Sequence, residues 1–560
     1  MKELSKAQKA RTAIRVFKTT ADALALRGYY KPSGQSGKTL EEALRMISPE
    51  IYGAMNDPRT TELKGLEYVI DRLPRGIEEC TRVTLTAQED LGGTSFEKIR
   101  PLKRRRTSYR VSKEEICFVI TRGLSEIYDI LTHITFLNIE AGKILSQARD
   151  HAGNPTRAWN KLAEDVRKGE ELNGSELDQA IWNLGVILGR TYQETRETYQ
   201  YIDKNRREAD SRGLFQIIYS LGKCRQESEI SKDNELLIYF TPSLKEMIGH
   251  QSYAEKWACT IKEKLVSLGF QERPIHIISA NMHSVVNMLY GYSAVKAREQ
   301  DSDIYSFFNQ IRDRADEVKA YARNHGFHEL PDASGTNIDC QIIDMSLLAS
   351  VSFHPELRVN ISVIESEKPP VLLIMDYAFG TQAFEVMDEL LEPFLAGDSE
   401  MKFDIDSVSV MGKAGILPGK KGDIMLASAH VLEGTPHNYI VYNDLRKEDF
   451  DSSVDVYEGV IVTVLGTSLQ NRDMLKKFQG TSWKAVGLEM EGGHYQRAIN
   501  AAIIRGHITR DVKIRYAYYA SDNPLISGQT LASGSMGKEG VLPTYMITKV
   551  ILEKISRSAE

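Results

Sequence analysis

From residue 345 onward, short apolar runs alternate with stretches of helical spacing, and no other feature limits the possible fold as much. The runs VLLIMD (371–376), DSVSVM (406–411), DIMLASAHV (423–431), GVIVTVLG (459–466), WKAVGLEM (483–490) and VKIRYAYYAS (512–521) have the length and β-branched or aromatic content of strands. Helices are expected at 382–395, 470–478, 493–505 and 542–556. Strands alternating with helices make a largely parallel sheet covered on both faces. ELLIYF (235–240) and IHIISA (275–280) carry the pattern backward, with a charged helix near 301–326 and a polar link through Pro331 and Gly335. The expected α/β domain therefore spans 235–560.

The first 230 residues have another texture. Residues 112–145 are apolar at helical spacing, and 174–205 open on a capping-box pattern, Ser175 to Asp178, with Leu177, Ile181, Leu184 and Leu188 on one face. The expectation is an all-α domain over 1–230. Its one charged cluster is KRRR, Lys103 to Arg106. That cluster reads either as a solvated loop or as a phosphate or nucleic-acid contact.

A chain of 560 residues exceeds one ordinary core, so more than one domain is expected. Its 71 basic and 77 acidic residues leave a formal net charge of −6, which gives no general attraction to nucleic acid or anionic membrane. Cys80, Cys117, Cys224, Cys259 and Cys340 form no CxxC pair. That argues against a zinc site and a disulfide framework, and for a reducing compartment. No stretch approaches the roughly 20 apolar residues of a membrane span. A cytoplasmic location and no metal are the expectations.

Ligands of open α/β sheets bind beyond the carboxyl ends of strands. The strand 483–490 runs into Met490 and Glu491, and 512–521 ends at Ser521 and Asp522, before Asn523-Pro524. Two acids are thus expected at the same end of one β-α-β unit. Glu491 reads as a ligand-binding carboxylate or as a helix N-terminal acid stabilised by the dipole. Asp522 reads as an acid for chemistry or as the start of an Asx-turn. Glu489 reads as structural, pairing with Arg497 or Lys484. Gly380 and Thr381 precede a helix and offer backbone N–H groups and a hydroxyl to an anion. Gly412, Lys413 and Gly415 surround an expected tight turn.

In this order, YAFGTQAFEVMDELL, VMGKAGILPGKKGDIMLASAHV, LEGTPHNYIVYND, LEMEGGHYQRAI and YYASDNPL resemble the nucleoside phosphorylase and nucleosidase superfamily, with AMP nucleosidases the closer likeness. The resemblance covers about residues 365–530. It implies a three-layer α/β/α domain with a mixed, mostly parallel sheet that cleaves the N-glycosidic bond of a purine nucleotide or nucleoside, AMP first. Glu491 would accept from the ribose hydroxyls, with Met490 beneath the sugar, and Asp522, after Ser521, would protonate the leaving purine at N7. Gly380 and Thr381 would lie near the ribose or the nucleophile. Lys413, in the Gly-x-x-Gly turn that ends at Gly415, would line the phosphate end or the base with Gly434, Thr435 and Tyr439. No cofactor is implied, and a homo-oligomer is.

The chemistry asks for the same residue types. Cleavage builds an oxocarbenium-like sugar and puts charge on the base, so a carboxylate near the sugar and a proton donor near the base both lower the barrier. A carboxyl donates near neutral pH only if burial lifts it from its ordinary value of about 3.9. The chain departs from the family pattern at Ala378, where a glycine is usual, and at Gln529-Thr530-Leu531, where a lysine-bearing run is usual. A missing cation there would weaken preference for a 5′-phosphate. A phosphorylase on the same fold, or a nucleotide sensor or scaffold that has lost turnover, are the alternatives. His283 reads as an ordinary histidine or as a neighbour of the nucleophile.

Overall fold

The computed structural model describes residues 4–87, 90–103, 106–169, 172–209, 213–248, 252–295, 303–396, 399–526 and 536–557. The chain forms two compact units, Met1–His250 with Ser468–Met474, and Gln251–Thr467 with Leu475–Glu560.

The first unit is largely helical, but it also contains a six-stranded sheet that the all-α expectation lacks. Its strands are β1 (Tyr29–Tyr30), β2 (Arg82–Thr86), β3 (Glu97–Ile99), β4 (Thr107–Arg110), β5 (Glu115–Val119) and β6 (Leu237–Phe240), in the order β1-β6-β2-β5-β4-β3. Two regions change role. The apolar run at 115–119, expected as helix, pairs in parallel with β2, and the helix begins only at Gly123. Leu237–Phe240, expected to open the α/β domain, pairs with β1 and β2 instead. A four- or five-residue apolar run fits strand or buried helix equally well by periodicity, and only its partners decide.

The KRRR cluster also resolves differently at its ends. Lys103 pairs with Asp71 at 2.6 Å, and Arg106 is buried against Asp129 of the helix Gly123–Ala148. Arg106 is thus an internal partner of a carboxylate, whereas Lys103 is exposed and reaches Asp71 from the solvated side, as a surface loop would. Arg104 and Arg105 lie outside the described residues.

The second unit is a mixed α/β domain. Its ten-stranded sheet holds β7 (Ile275–Ser279), β8 (Phe327–Leu330), β9 (Cys340–Asp344), β10 (Val371–Met375), β13 (Ile405–Ile416), β14 (Ile424–Leu432), β15 (Asn438–Ile440), β16 (Val456–Thr463), β17 (Gly487–Glu489) and β18 (Lys513–Asp522). A separate antiparallel pair, β11 (Phe394–Ala396) and β12 (Ser399–Met401), stands apart. Side chains alternate between two cores. Val371, Leu373 and Met375 join one, with the helices Ser252–Ser267, Gln382–Leu391 and Gly492–Arg505. Leu372 and Ile374 join the other, with the helices Met282–Ala294 and Val541–Arg557. Both sheet faces are therefore covered by helices, and each fully buried Leu or Ile stabilises the domain by about 1.5–3 kcal/mol.

Five strands close a ring. β14 pairs with β16, β16 with β17, β17 with β13, β13 with β18, and β18 again with β14. The β14–β18 pairing spans only residues 424–426 against 517–519, and Asn443 prolongs the seam. Its amide nitrogen donates to Ala427 O (3.1 Å) and Tyr516 O (2.8 Å), while its Oδ1 accepts from the amides of Tyr516 and Leu445. Asn443→Ala leaves buried backbone groups without partners. We expect a loss of about 2–4 kcal/mol, read as a lower urea midpoint of unfolding.

Candidate active site

Gly415 is the point at which the two strands that lead to the expected acids flank one strand. In β13 it stands opposite Leu488 of β17 on one side and Asp522 of β18 on the other. β17 runs antiparallel to β13 and β18 runs parallel to it, so the two acid-bearing strands are neither neighbours nor parallel. This corrects the expectation that both acids project from the same end of one β-α-β unit. The closed ring reverses β17, and the two chains pass Gly415 on opposite sides in opposite directions.

Gly412 and Lys413 also differ from expectation. They lie in the extended run of β13, which continues to Ile416, and not in a turn; Lys413 faces Tyr519 of β18 and is exposed. Glycine inside a strand often marks a bulge. Here the register slips between Ala414 and Gly415, beside Asp522.

Asp522 is buried, at 3% exposure. Ser521 Oγ lies within hydrogen-bonding reach of Asp522 Oδ1 and of Ala414 O, the latter at 3.3 Å. The Asx-turn falls on the next residue: Asn523 Oδ1 accepts from Leu525 N at 2.9 Å, and its Nδ2 donates to Leu417 O and Gly419 O. Asn523 thus fixes the chain beyond β18.

Glu491 precedes the helix Gly492–Arg505, and its Oε1 accepts from the amide of Gly380 at 3.0 Å. Gly380 has φ +57°, a left-handed conformation that favours glycine. Its N–H, expected to meet an anion, is held by Glu491. Thr381 caps the helix Gln382–Leu391 through its backbone, without a side-chain cap bond. Met490 is buried next to Glu491. Tyr495, one turn into the helix, places its hydroxyl 3.2 Å from Ser279 Oγ at the end of β7. Burial pushes that hydroxyl up, so it stays protonated.

Glu489 pairs with neither Arg497 nor Lys484. It is fully internal, and its Oε2 accepts from the amides of Glu491 (2.5 Å) and Gly492. Its Oε1 accepts from Thr463 Oγ1 at 2.5 Å and lies 3.5 Å from His430 Nδ1, itself 0% exposed. Burial drives this carboxyl up. The His430 ring, the Gly492 amide and the Thr463 hydroxyl outweigh burial and hold it below the ordinary carboxylate value. Thr463 Oγ1 also accepts from Gly493 N at 2.9 Å. Sequence reasoning passed over His430 and Thr463; the one signal was a histidine inside the apolar run ASAHV.

Gly434 and Thr435 form the tip of the β14–β15 hairpin. Gly434 has φ +75°, and Thr435 Oγ1 bonds Leu432 O and His437 N, closing the turn. Tyr439 pairs with His430 across that hairpin. These three residues are placed by the hairpin. His283 sits in the first turn after β7, held below the usual imidazole value by burial and by the Arg312 guanidinium, with Asp376 opposing. Among the described residues no group of three His, Cys, Asp or Glu side chains is arranged to hold a metal ion, and no helix is long and apolar enough to cross a membrane.

The EGG stretch has no slack. A Cβ on Gly492 would stand 2.1 Å from Tyr518 Oη and 2.4 Å from His430 Cε1, and one on Gly493 2.3 Å from Leu432 Cδ1. Gly492→Ala is expected to cost about 2–4 kcal/mol. Gly480→Ala, where a Cβ meets nothing within 4 Å, is expected to be near neutral. Urea unfolding of the two variants side by side checks this.

Solved structures similar to the chain include a Campylobacter jejuni 5′-methylthioadenosine/S-adenosyl homocysteine nucleosidase, 13% identical, covering 51% of this chain and 99% of its own, at TM-score 0.30. A native futalosine hydrolase of Helicobacter pylori is 14% identical over 51% of this chain and 98% of its own, at TM-score 0.30. Isoform 2 of uridine phosphorylase from Schistosoma mansoni is 12% identical over 52% and 89%, at TM-score 0.31. No curated protein matches the chain. A family model described as a family of unknown function, DUF6909, matches residues 38–316 and 305–557, and the chain belongs to that family.

Proposed function

We propose that the second unit cleaves the N-glycosidic bond of a purine nucleotide or nucleoside by hydrolysis, with AMP the first candidate. The observation that carries this reading is the junction at Gly415, where the Glu491 strand and the buried Asp522 flank one bulged strand. One carboxylate serves the sugar and the other the base, as the chemistry requires.

In this reading the Glu491 carboxylate accepts hydrogen bonds from the ribose 2′- and 3′-hydroxyls, and the buried Met490 packs beneath the ring. Gly380 N–H, 3.0 Å from Glu491 Oε1, orients the carboxylate before substrate arrives. Asp522 delivers a proton to N7 as the C1′–N9 bond breaks and its electron pair leaves with the purine. Ser521 holds the Asp522 carboxyl in place. Water then forms the new bond to C1′ and releases a proton to solvent. Lys413, Gly434, Thr435 and Tyr439 are assigned the phosphate end or the base on family likeness alone. A homo-oligomer is part of the same proposal.

Phosphorolysis is the second reading. The 376–416 turns offer no arginine for inorganic phosphate. Arg312, in another segment, acts electrostatically on His283 beyond the end of β7.

Incubation with AMP, with and without phosphate, separates these readings. Adenine with ribose 5-phosphate marks hydrolysis, and adenine with ribose 1,5-bisphosphate, only when phosphate is present, marks phosphorolysis. Asp522→Asn is expected to lower kcat by ~10²-fold or more, and Glu491→Gln to lower kcat/KM by a similar factor. Binding without turnover across a panel of purine nucleotides and nucleosides would identify a sensor.

A further inference from the structure

His430 and Glu489 belong to no substrate contact assigned above, yet both are enclosed, with His430 Nδ1 3.5 Å from Glu489 Oε1. The Glu489 carboxylate reaches the amides of two successive residues, Glu491 and Gly492, while His430 Nδ1 and Thr463 Oγ1 face its other oxygen. His430 is wedged against Tyr516 and Tyr518, with ring centroids 4.8 and 6.1 Å away. The glycines at 492 and 493 let the helix start close onto this cluster, since neither position has room for a Cβ.

We propose that His430 and Glu489 act as a positioning pair that sets the backbone of Glu491, and through it the aim of the Glu491 carboxylate at the ribose hydroxyls. The consequence for the ribose rests on the nucleosidase reading; the hold on the backbone does not. The physical argument is one of satisfaction. An ionised carboxylate offers lone pairs enough for both amides and the Thr463 hydroxyl at once, whereas a neutral carboxyl must commit one oxygen as a donor. Without water, an ionised carboxylate persists only beside an opposing charge or several donors. His430 Nδ1 adds a polar neighbour at Oε1, beside the Thr463 hydroxyl. Removing it leaves the buried Glu489 with one polar neighbour fewer, which favours its protonated form. That change loosens the amides at the residue that carries the ribose-binding carboxylate.

A merely structural pair would weaken every substrate equally. A positioning pair changes the discrimination between substrates that have the hydroxyl Glu491 grips and those that lack it. Three variants of the full chain test this: His430→Phe keeps the ring and removes its nitrogens, His430→Asn keeps a donor near Nδ1, and Glu489→Gln keeps the shape. The first readout is hydrogen exchange at the amides of Glu491 and Gly492, which needs no activity. The second is the ratio of kcat/KM for AMP to that for 2′-deoxy-AMP.

In His430→Phe and Glu489→Gln we expect ~tenfold faster exchange at those amides and a ~tenfold smaller ratio, with His430→Asn recovering both. Unchanged exchange in the Phe and Gln variants overturns the proposal. Faster exchange with an unchanged ratio also overturns it, because the pair is then structural only. If the wild-type chain cleaves neither substrate, the nucleosidase reading fails, and the hold on the backbone stands or falls on exchange alone. Should His430→Phe not fold, the isosteric Glu489→Gln carries the same two readouts.

Discussion

The buried Glu489 carboxylate organises the candidate site. A charge with no access to water costs several kcal/mol unless it is fully partnered. Two backbone amides, the Thr463 hydroxyl and the His430 ring meet that requirement here. Because its amide partners open the helix Gly492–Arg505, satisfying Glu489 also sets where that helix begins. Glu491, one residue before the helix, then meets the Gly380 amide. That bond joins the loops after β10 and β17.

Around this carboxylate the sheet bends into a ring. A closed ring lets strands of opposite direction present their ends to one point, which an open parallel sheet cannot do. The bulge between Ala414 and Gly415 gives β13 the local twist to sit between β17 and β18. Asn443 completes the seam where β14 and β18 diverge, doing with a side chain what a strand backbone would do. Small residues serve the same end. Gly487, Gly492 and Gly493 sit where a Cβ would collide with Met425, with Tyr518 and His430, and with Leu432 and Thr463.

Much of the second unit was legible in the chain because its strands are apolar runs bounded by turn residues. VLLIMD, DIMLASAHV and VKIRYAYYAS became β10, β14 and β18 with ends shifted by a residue or so. The sheet of the first unit was not legible. Its strands are two to five residues long, and two of them, Glu97–Ile99 and Thr107–Arg110, carry polar residues at most positions. Arg106 illustrates the same limit, since a run of four cations reads as a surface feature until Asp129, 23 residues away, takes one of them inside.

By itself, the sequence determined the residue types and the places where strands give way to helices: Glu491 before one helix, Asp522 at a strand end, glycine at 380 and 415. Those are local properties, set by periodicity, turn chemistry and the conformational freedom of glycine. Tertiary structure alone decided that β17 runs against β18, that the Gly380 amide belongs to Glu491, and that His430, 59 residues before Glu489 in the chain, stands beside its carboxylate. Strand direction and burial depend on partners distant in sequence, and a carboxylate's role depends on which donors surround it once water is gone.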